Sequence, residues 1–262
     1  MAHAPVPLIA LLTDFGTADW YVSCMKAVML RLCPRVQLVD ITHEVPSHDI
    51  VVGAVTLAAA VNWFPPKTIF ACVVDPGVGT ARRLIAAHAD ERLFVGPDNG
   101  LLSLVLQRAN RLTLVRLTNP RYWLSQISQT FHGRDIIAPV AAYLARGVPL
   151  QRLGIPQHRY HTLKLPRLQR VRGAIRGRLL HIDTFGNLIT NLPASLVMEP
   201  RTCRFRYKHA AARVVSSYEE GRRGELVALG GSSGYVELSV REASAAKRYR
   251  AKRGDRVELR WL

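Results

Sequence analysis

Residues 68–79, TIFACVVDPGVG, hold the pattern on which the fold prediction depends. The apolar run at 69–74 is typical of a strand buried on both faces, and the Asp-Pro-Gly that follows is typical of a tight loop. Strands buried on both faces belong to parallel sheets whose two sides are covered by helices. This stretch therefore predicts a central strand of an α/β domain, with a polar loop at its carboxyl end.

The segments around this strand alternate between strand and helix patterns. Predicted strands lie at residues 8–14, 36–42, 84–89, 92–100 and 113–118, and predicted helices at 21–33, 49–64, 100–109 and 135–146. The helix at 49–64 has clear boundaries, since Asp49 is a good N-cap and Pro65-Pro66 stops a helix. The sequence therefore predicts an α/β N-terminal domain, residues 1–160, with a mostly parallel sheet covered by helices.

The pattern changes after Pro149. A polar, proline-containing stretch at about 151–166 is typical of a linker. Short segments rich in β-branched residues and separated by turn residues follow at 177–192, 203–210, 225–240 and 255–262. This pattern predicts a small all-β C-terminal domain, barrel-like, spanning residues 161–262.

Composition limits the cellular setting that we expect. The longest apolar stretch, residues 50–61, is far shorter than the roughly 20 residues that cross a bilayer. No basic start or cleavage site precedes the first strand, so we expect no export and no membrane partner. The four cysteines, Cys24, Cys33, Cys72 and Cys203, are scattered without metal-ligand spacing. We therefore expect reduced thiols, no zinc and a cytoplasmic protein.

The net charge of +17 is the most unusual feature of the composition. From residue 166 onward, 20 Lys and Arg face 9 Asp and Glu, which contributes 20 − 9 = +11 of that charge. This half has few aromatic residues and no nucleic-acid-binding motif. We interpret the charge as an arginine-rich solvated surface with no specific nucleic-acid partner, although incidental binding of polyanions stays open.

Polar residues follow several of the predicted strands. Asp14, the 42–44 segment, Asp75 and the 98–99 pair all come directly after such strands. Ligands of open parallel sheets bind beyond the carboxyl ends of the strands. The competing interpretation is that these carboxylates only cap helices or anchor turns. His132 precedes a predicted helix, where a lone histidine is more often structural than catalytic.

Common catalytic motifs are absent from the sequence. No GxxxxGK[ST] or GxGxxG pattern indicates phosphate binding, and no GxSxG elbow indicates a serine hydrolase. The residues alone leave the reaction open.

Seven motifs together resemble one known family. They are, in order, TDFGT, HEVPSHDI, VVDPGVGTARR, GPDNGLL, TFHGRDIIAP, DTFGNLITN and SSGYVELSV, and the match runs from about residue 8 to residue 246. The resemblance is to the S-adenosylmethionine (SAM) hydrolases, also called SAM hydroxide adenosyltransferases, which are relatives of the bacterial fluorinase and chlorinase. It implies an α/β domain with a small β-barrel, and cleavage of SAM by water into adenosine and methionine. It further implies a homotrimer, with each site between the N-terminal domain of one subunit and the C-terminal domain of its neighbour.

The same resemblance implies a catalytic set of Asp75, Arg82 and His132, with no cofactor and no metal. Arg83 lies beside Arg82, so the catalytic role assigned to Arg82 can belong to Arg83 instead. The halogenase branch has Tyr in place of this Asp, Thr at position 78 and Ser at position 133, and the chain keeps the hydrolase residues. Whether His132 accepts the proton of the water or Arg82 stabilises hydroxide stays open.

Contacts to the sugar and the methionine end follow by the same resemblance. Asp14 is implied to bind the ribose hydroxyls, and Asp183 to lie near the methionine amino group. Asp19 and Ser232 are implied to face the methionine end. His48 replaces an aromatic cap over the ribose and is expected to pack over the sugar.

Adenine contacts are implied for three residues. Phe185 and Tyr218 match aromatic positions that flank the base, and Asn187 matches a residue at its edge. For the two aromatics, ordinary barrel core is the competing interpretation. The chain departs from the family at Gly231 and Arg241, where asparagine is usual.

Three alternative functions remain at this point. The first is a halogenase, and the second is a protein that binds SAM or adenosine without turnover. The third is a nucleic-acid-binding protein that depends on its basic C-terminal half. The catalytic set favours the hydrolase over all three.

Overall fold

The computed structural model describes residues 6–197 and 203–261 of the chain. It divides into two compact units, Met1–Leu163 and Lys164–Leu262. Each unit buries its own apolar core.

The first unit is built on a seven-stranded sheet. Its strands are β1 Leu8–Thr13, β2 Gln37–Thr42, β3 Ile69–Val73, β4 Leu84–Ala89, β5 Arg92–Pro97, β6 Leu112–Leu117 and β7 Gly154–Gln157. They lie in the order β2-β1-β3-β5-β4-β6-β7. The pairs β1–β2, β1–β3 and β3–β5 are parallel, and those on the other side of β5 are antiparallel. The predicted α/β class is confirmed, and the sheet is mixed.

The mixed character has a local cause. The two-residue turn Asp90-Glu91 joins β4 to β5, and so short a connection permits only an antiparallel pair. Asp90 takes a positive φ of 51°, and its Oδ1 accepts a hydrogen bond from the Arg111 amide, at 2.9 Å. Because β4 is thereby reversed, β6 pairs with it in the antiparallel sense as well.

Helices cover the sheet where the periodicity predicts them, although some are shorter. They are α1 Tyr21–Leu32, α2 Ile50–Ala60, α3 Ser103–Leu106 and α4 Ala138–Ala145. Asp49 accepts a hydrogen bond from the Val52 amide as the N-cap of α2. None of the helices in the described part of the chain has the length and apolar character needed to cross a bilayer.

Part of the predicted linker belongs to the sheet. Leu150–Leu153 forms a 3₁₀ turn, and β7 pairs antiparallel with β6 at the sheet edge. The proline at position 156 is compatible with this place, since an edge strand leaves one side of its backbone unpaired.

The second unit is a barrel, as predicted. Its elements are β8 Gln169–Val171, β9 Ala174–Ile182, β10 Leu188–Pro193, β11 Cys203–Tyr207, β12 Ala210–Val214, β13 Leu226–Gly230, β14 Tyr235–Val240, α5 Ala245–Tyr249 and β15 Arg256–Trp261. The order is β10-β14-β13-β12-β11-β15-β9-β8, and β10 also pairs with β9. That last pairing closes a seven-stranded barrel and leaves β8 beside it.

Candidate functional site

The loop after β3 folds back on itself to bring Arg82 to Asp75. The Val78 amide donates to the Asp75 carbonyl and the Thr80 amide to the Gly77 carbonyl, which makes two successive turns. Gly79 takes a φ of +78°, and a Cβ there would lie 2.5 Å from the Gln129 carbonyl oxygen. Only glycine fits this position, so the DPGVG pattern is a requirement of the turn.

Three side chains meet beyond this loop. Arg82 Nε donates to both carboxylate oxygens of Asp75, at 2.8 and 2.7 Å, and Arg82 Nη2 donates to Oδ2. The same Nη2 lies 2.9 Å from His132 Nδ1. The side chains of Asp75 and Arg82 are only 5% and 11% exposed, so this ion pair is largely shielded from water. Arg82 therefore links Asp75 and His132 into one hydrogen-bonded set.

His132 is fixed by the helix that it precedes. It caps the π-helical turn Gly133–Ile137, which runs directly into α4. Within that turn the buried carboxylate of Asp135 accepts from the Ser128 amide at 2.7 Å and from Arg134 Nε at 2.6 Å. Such π-turns inside helices are frequent at functional sites.

The contact with Arg82 decides the protonation of His132. A guanidinium only donates, so His132 Nδ1 is the acceptor and the neutral ring carries its proton on Nε2. Burial lowers the pKa of His132 below its ordinary value of 6.5, and the positive charge of Arg82 lowers it further. Asp75 and Asp135 act in the opposite direction without reversing the shift. His132 is therefore neutral at physiological pH, with an Nε2–H that donates.

We expect His132 to titrate below pH 6.5 with its proton on Nε2, as NMR of the labelled ring nitrogens would show. The unfolded histidine, with a pKa of about 6.5, binds the proton more readily than the folded one, so stability falls as pH drops below about 6.5. Arg82→Met removes one cause of the lowered pKa and should raise it. A ring that is protonated at pH 7, or that carries its neutral proton on Nδ1, would contradict this assignment.

A second group of predicted residues follows β1. Asp14 follows the end of β1, next to β3, and its amide donates to the Val73 carbonyl at 3.3 Å. Asp14 Oδ2 accepts from the His48 amide at 2.8 Å, and the exposed His48 has a φ of 65°. Asp19 is exposed in the segment before α1. Asp14 and Asp75 thus lie just beyond the carboxyl ends of two neighbouring parallel strands, where ligands of such sheets bind.

In the barrel unit, the three predicted adenine contacts line one open pocket. Phe185, Asn187 and Tyr218 lie in its wall together with residues 240–244, around a volume of about 630 Å³. Phe185 is 79% exposed and Tyr218 47%. Side chains so exposed are not barrel core, which removes the competing interpretation for both.

Asp183 shapes the turn that presents Phe185 to the pocket. Its Oδ1 accepts from the Asn187 amide at 2.8 Å and its Oδ2 from Asn187 Nδ2 at 3.0 Å. Gly186 has a φ of +86° within this turn, and a Cβ there would lie 2.0 Å from Ser244 Oγ. Asp183 and Asn187 therefore contact each other directly, and the Oδ1 of Asn187 remains available to a ligand.

Two residues hold Tyr218 in place: Glu237, to which sequence reasoning gave no role, and Arg241, which it noted as a departure from the family pattern. Glu237, only 6% exposed, accepts from the Tyr218 hydroxyl at 2.6 Å and from Ser239 Oγ at 2.7 Å. Arg241 Nη1 donates to the Glu219 and Gly221 carbonyls, at 3.0 Å each, on the turn that carries Tyr218. Burial and the Glu237 carboxylate raise the pKa of Tyr218, so its hydroxyl stays protonated and donates. The feature of the sequence that could have indicated the role of Glu237 is the presence of a glutamate in the alternating strand pattern YVELSV.

Three further positions bear on the assignments made from the sequence. Arg83 pairs with Asp98, at 2.5 Å, and only Arg82 reaches Asp75 and His132. Ser232 is exposed in the turn between β13 and β14 and lies outside the lining of the pocket around Phe185 and Tyr218. At Gly231 a Cβ would approach Glu237 Oε2 and the Tyr235 carbonyl to 3.1 Å, which accounts for glycine in place of a larger residue.

Among the described residues, no group of three or more His, Cys, Asp or Glu side chains is arranged to hold a metal ion. The Asp75–Arg82–His132 set has a guanidinium at its centre, which donates hydrogen bonds and cannot ligate a metal.

Comparison with known proteins gives a consistent set of relatives. Residues 9–154 match the SAM hydroxide adenosyltransferase N-terminal domain, and residues 177–258 match the C-terminal domain of the same description. The chain is 40% identical to the (R)-S-adenosyl-L-methionine hydrolase of Salinispora tropica, over 98% of each chain. It is 28% identical to the fluorinase of Nocardia brasiliensis, over 97% of each. A crystal structure described as an uncharacterized conserved protein from Thermotoga maritima superposes with a TM-score of 0.91 at 35% identity, over 96% of this chain and 99% of that one.

Proposed function

This chain belongs to the SAM hydroxide adenosyltransferase family, and from that premise we propose that it hydrolyses S-adenosylmethionine to adenosine and methionine. The observation that carries the proposal is the contact of Arg82 with both Asp75 and His132. These are the residues that mark the hydrolase branch of the family. The greater similarity to a hydrolase than to a fluorinase supports the same choice.

The reaction balances without a cofactor. The oxygen of water forms a bond to the ribose C5′ while the C5′–S bond breaks, and the electron pair of the C5′–S bond stays on sulfur. The sulfonium leaves as the neutral thioether of methionine, so its charge disappears, and the proton of the water passes to solvent. The site has to hold one oxygen in line with the C5′–S bond and to exclude competing water.

The geometry supports separate roles for the three side chains. Arg82 brings a positive charge that stabilises hydroxide character on the attacking oxygen, and Asp75 fixes the plane of the guanidinium. His132 Nδ1 is occupied by Arg82, so the ring offers its Nε2–H as a second donor to that oxygen. In this arrangement His132 positions the nucleophile rather than removing its proton.

Substrate contacts follow from the two groups described above. Asp14 accepts from the ribose hydroxyls with His48 beside the sugar, and Phe185 and Tyr218 flank the adenine. Asn187 faces the edge of the base. The methionine end of the substrate is proposed to lie beside Asp183, Asp19 and Ser232. Asp183 also holds the turn that contains Asn187.

The name of the Salinispora tropica relative specifies the (R) form of the sulfonium. We extend this to the present chain and propose that the (R) epimer is the preferred substrate. Separate assays of the two epimers test the preference, and equal rates for both would overturn it.

We also propose a cytoplasmic homotrimer. In each chain the catalytic set lies in the first unit and the adenine pocket in the second. The family arrangement joins the first unit of one subunit to the second unit of its neighbour, so a complete site requires the assembly. Light scattering that gives the mass of a single chain for fully active protein would overturn the trimer.

The purified protein, incubated with SAM in halide-free buffer, is expected to release adenosine and methionine in equal amounts, measured by chromatography. Asp75→Asn and His132→Ala should lose this activity, because the first removes the negative charge that pairs with Arg82 and the second removes the acceptor of Arg82 Nη2. His88→Ala, which changes an exposed histidine of β4, is the matched control and should keep it.

A parallel sample with chloride separates the alternatives. Formation of 5′-chloroadenosine without adenosine would establish a halogenase. Bound substrate without either product would establish a binding protein and would overturn the mechanism above.

A further inference from the structure

The outer face of the barrel concentrates positive charge on four adjacent strands. Side chains alternate inward and outward along each strand, and the inward ones of β9, β11, β12 and β15 form the apolar core. The outward positions carry seven arginines: Arg176, Arg178, Arg204, Arg206, Arg213, Arg256 and Arg260. Lys208 adds a further exposed cation directly after β11. We call this set the basic face.

The register places several of these cations directly opposite one another. Arg204 faces Arg260 across β11 and β15, and Arg213 across β11 and β12. Arg178 faces Arg256 across β9 and β15. Like charges directly opposite on neighbouring strands are destabilising. Ion pairs of Arg213 with Glu225, at 3.5 Å, and of Arg260 with Glu258 offset part of this repulsion, and a bound anion would relieve more of it.

Acidic side chains offset only part of this charge. Glu258 is shared between Arg176, at 2.7 Å, and Arg260, and Asp255 pairs with Lys208 at 3.3 Å. Within the described ranges, no acidic side chain lies at ion-pair distance from Arg204, Arg206 or Arg256. These three guanidiniums are the part of the basic face that is free to meet a ligand.

The basic face also has a concave part. Arg176, Arg206, Lys208, Arg256 and Arg260 surround a groove of about 540 Å³, with Asp255 and Glu258 in its lining. We propose that this groove and the arginines around it bind the sugar-phosphate backbone of nucleic acid, without reading the base sequence. Arginine forks match phosphate oxygens in two-point hydrogen bonds, and no base-reading motif accompanies them.

The shape and charge favour this partner over others. The ridge of phosphates along one strand of a nucleic acid can contact the cations of a groove, whereas a bilayer presents a broad surface that would contact only the rim. A second copy that docked with its own basic face is disfavoured, because the arginines of the two faces would repel each other. The proposal is independent of the hydrolase activity.

The test measures binding of a labelled 20-base-pair DNA duplex by fluorescence anisotropy across a salt series. The full-length protein is compared with the triple variant Arg204→Ser, Arg206→Ser, Arg256→Ser. Each phosphate contact contributes about 0.9 to the slope of log affinity against log salt. Loss of three contacts should lower the magnitude of that slope by about 3 and weaken binding at low salt at least tenfold.

A control of equal charge carries Arg35→Ser, Arg108→Ser and Arg121→Ser, three exposed arginines of the first unit. It should keep the slope of the wild type, and SAM hydrolysis should be unchanged in both triple variants. Equal weakening in both would show that net charge alone attracts the duplex, which overturns a site on the barrel. Binding to vesicles containing phosphatidylserine, without binding to the duplex, would overturn the proposal in favour of a membrane.

Discussion

Arg82→Lys is expected to lower kcat for SAM hydrolysis by about 10²–10³-fold with little change in KM. Lysine keeps the positive charge beside the buried Asp75, so the variant should fold. It lacks the planar fork that bonds both oxygens of Asp75 while reaching His132 Nδ1. The attacking water then loses a hydrogen-bond donor, the guanidinium of Arg82, whose orientation Asp75 fixes. Steady-state kinetics, with thermal unfolding to verify the fold, measure the effect.

The neighbouring residue supplies the matched control. Arg83 is also in an ion pair, with Asp98, and is 38% exposed at its side chain. Arg83→Lys should keep kcat within a few-fold of the wild type. The reverse result, a large loss at Arg83 and a small one at Arg82, would shift the catalytic assignment by one position and contradict the geometry described above.

Phe185→Ala is expected to raise KM for SAM by about 5- to 150-fold, which corresponds to about 1–3 kcal/mol of stacking energy. Phe185 is 79% exposed, so removal of its ring opens no cavity. The melting temperature should therefore stay unchanged while affinity falls. Calorimetric titration with the product adenosine isolates the base contact from the reaction.

Trp63→Ala tests whether any exposed aromatic has this effect. Trp63 is 82% exposed at the end of the 3₁₀ turn after α2, far along the sequence from the residues of the proposed adenine pocket. Its loss should leave KM and adenosine affinity unchanged. A lower melting temperature for Phe185→Ala, with normal affinity, would place Phe185 in the fold and remove it from the site.

Most elements of the fold were predictable because their signals are local. Asp49 caps α2 through its own side chain, and the helical turns after α2 end before Pro65-Pro66, which cannot continue a helix. The strands of the first unit lie where the apolar runs predict them. The edge strand β7 was missed, because its four residues have no apolar pattern and are held only by pairing with β6.

The candidate site was predictable in part. Glycine and proline after β3 indicated a tight loop, and the motif pattern singled out Asp75, Arg82 and His132. Glu237 was assigned no role and Arg241 was noted only as a departure from the family, because the partners through which they hold Tyr218 lie 19 to 22 residues away in the sequence. The basic face was equally hidden, since an even spread of arginines along the sequence gives no indication of which strands become neighbours.

The sequence by itself determined the order of helices and strands, the change from α/β to all-β, and the family to which the chain belongs. Those properties depend on periodicity, capping and motif residues that lie within a few positions of one another. Tertiary structure alone decided which of two adjacent arginines meets His132, which nitrogen of that histidine is the acceptor, and which cations share one face of the barrel. These depend on strand register and backbone turns, which join residues that are distant in the chain.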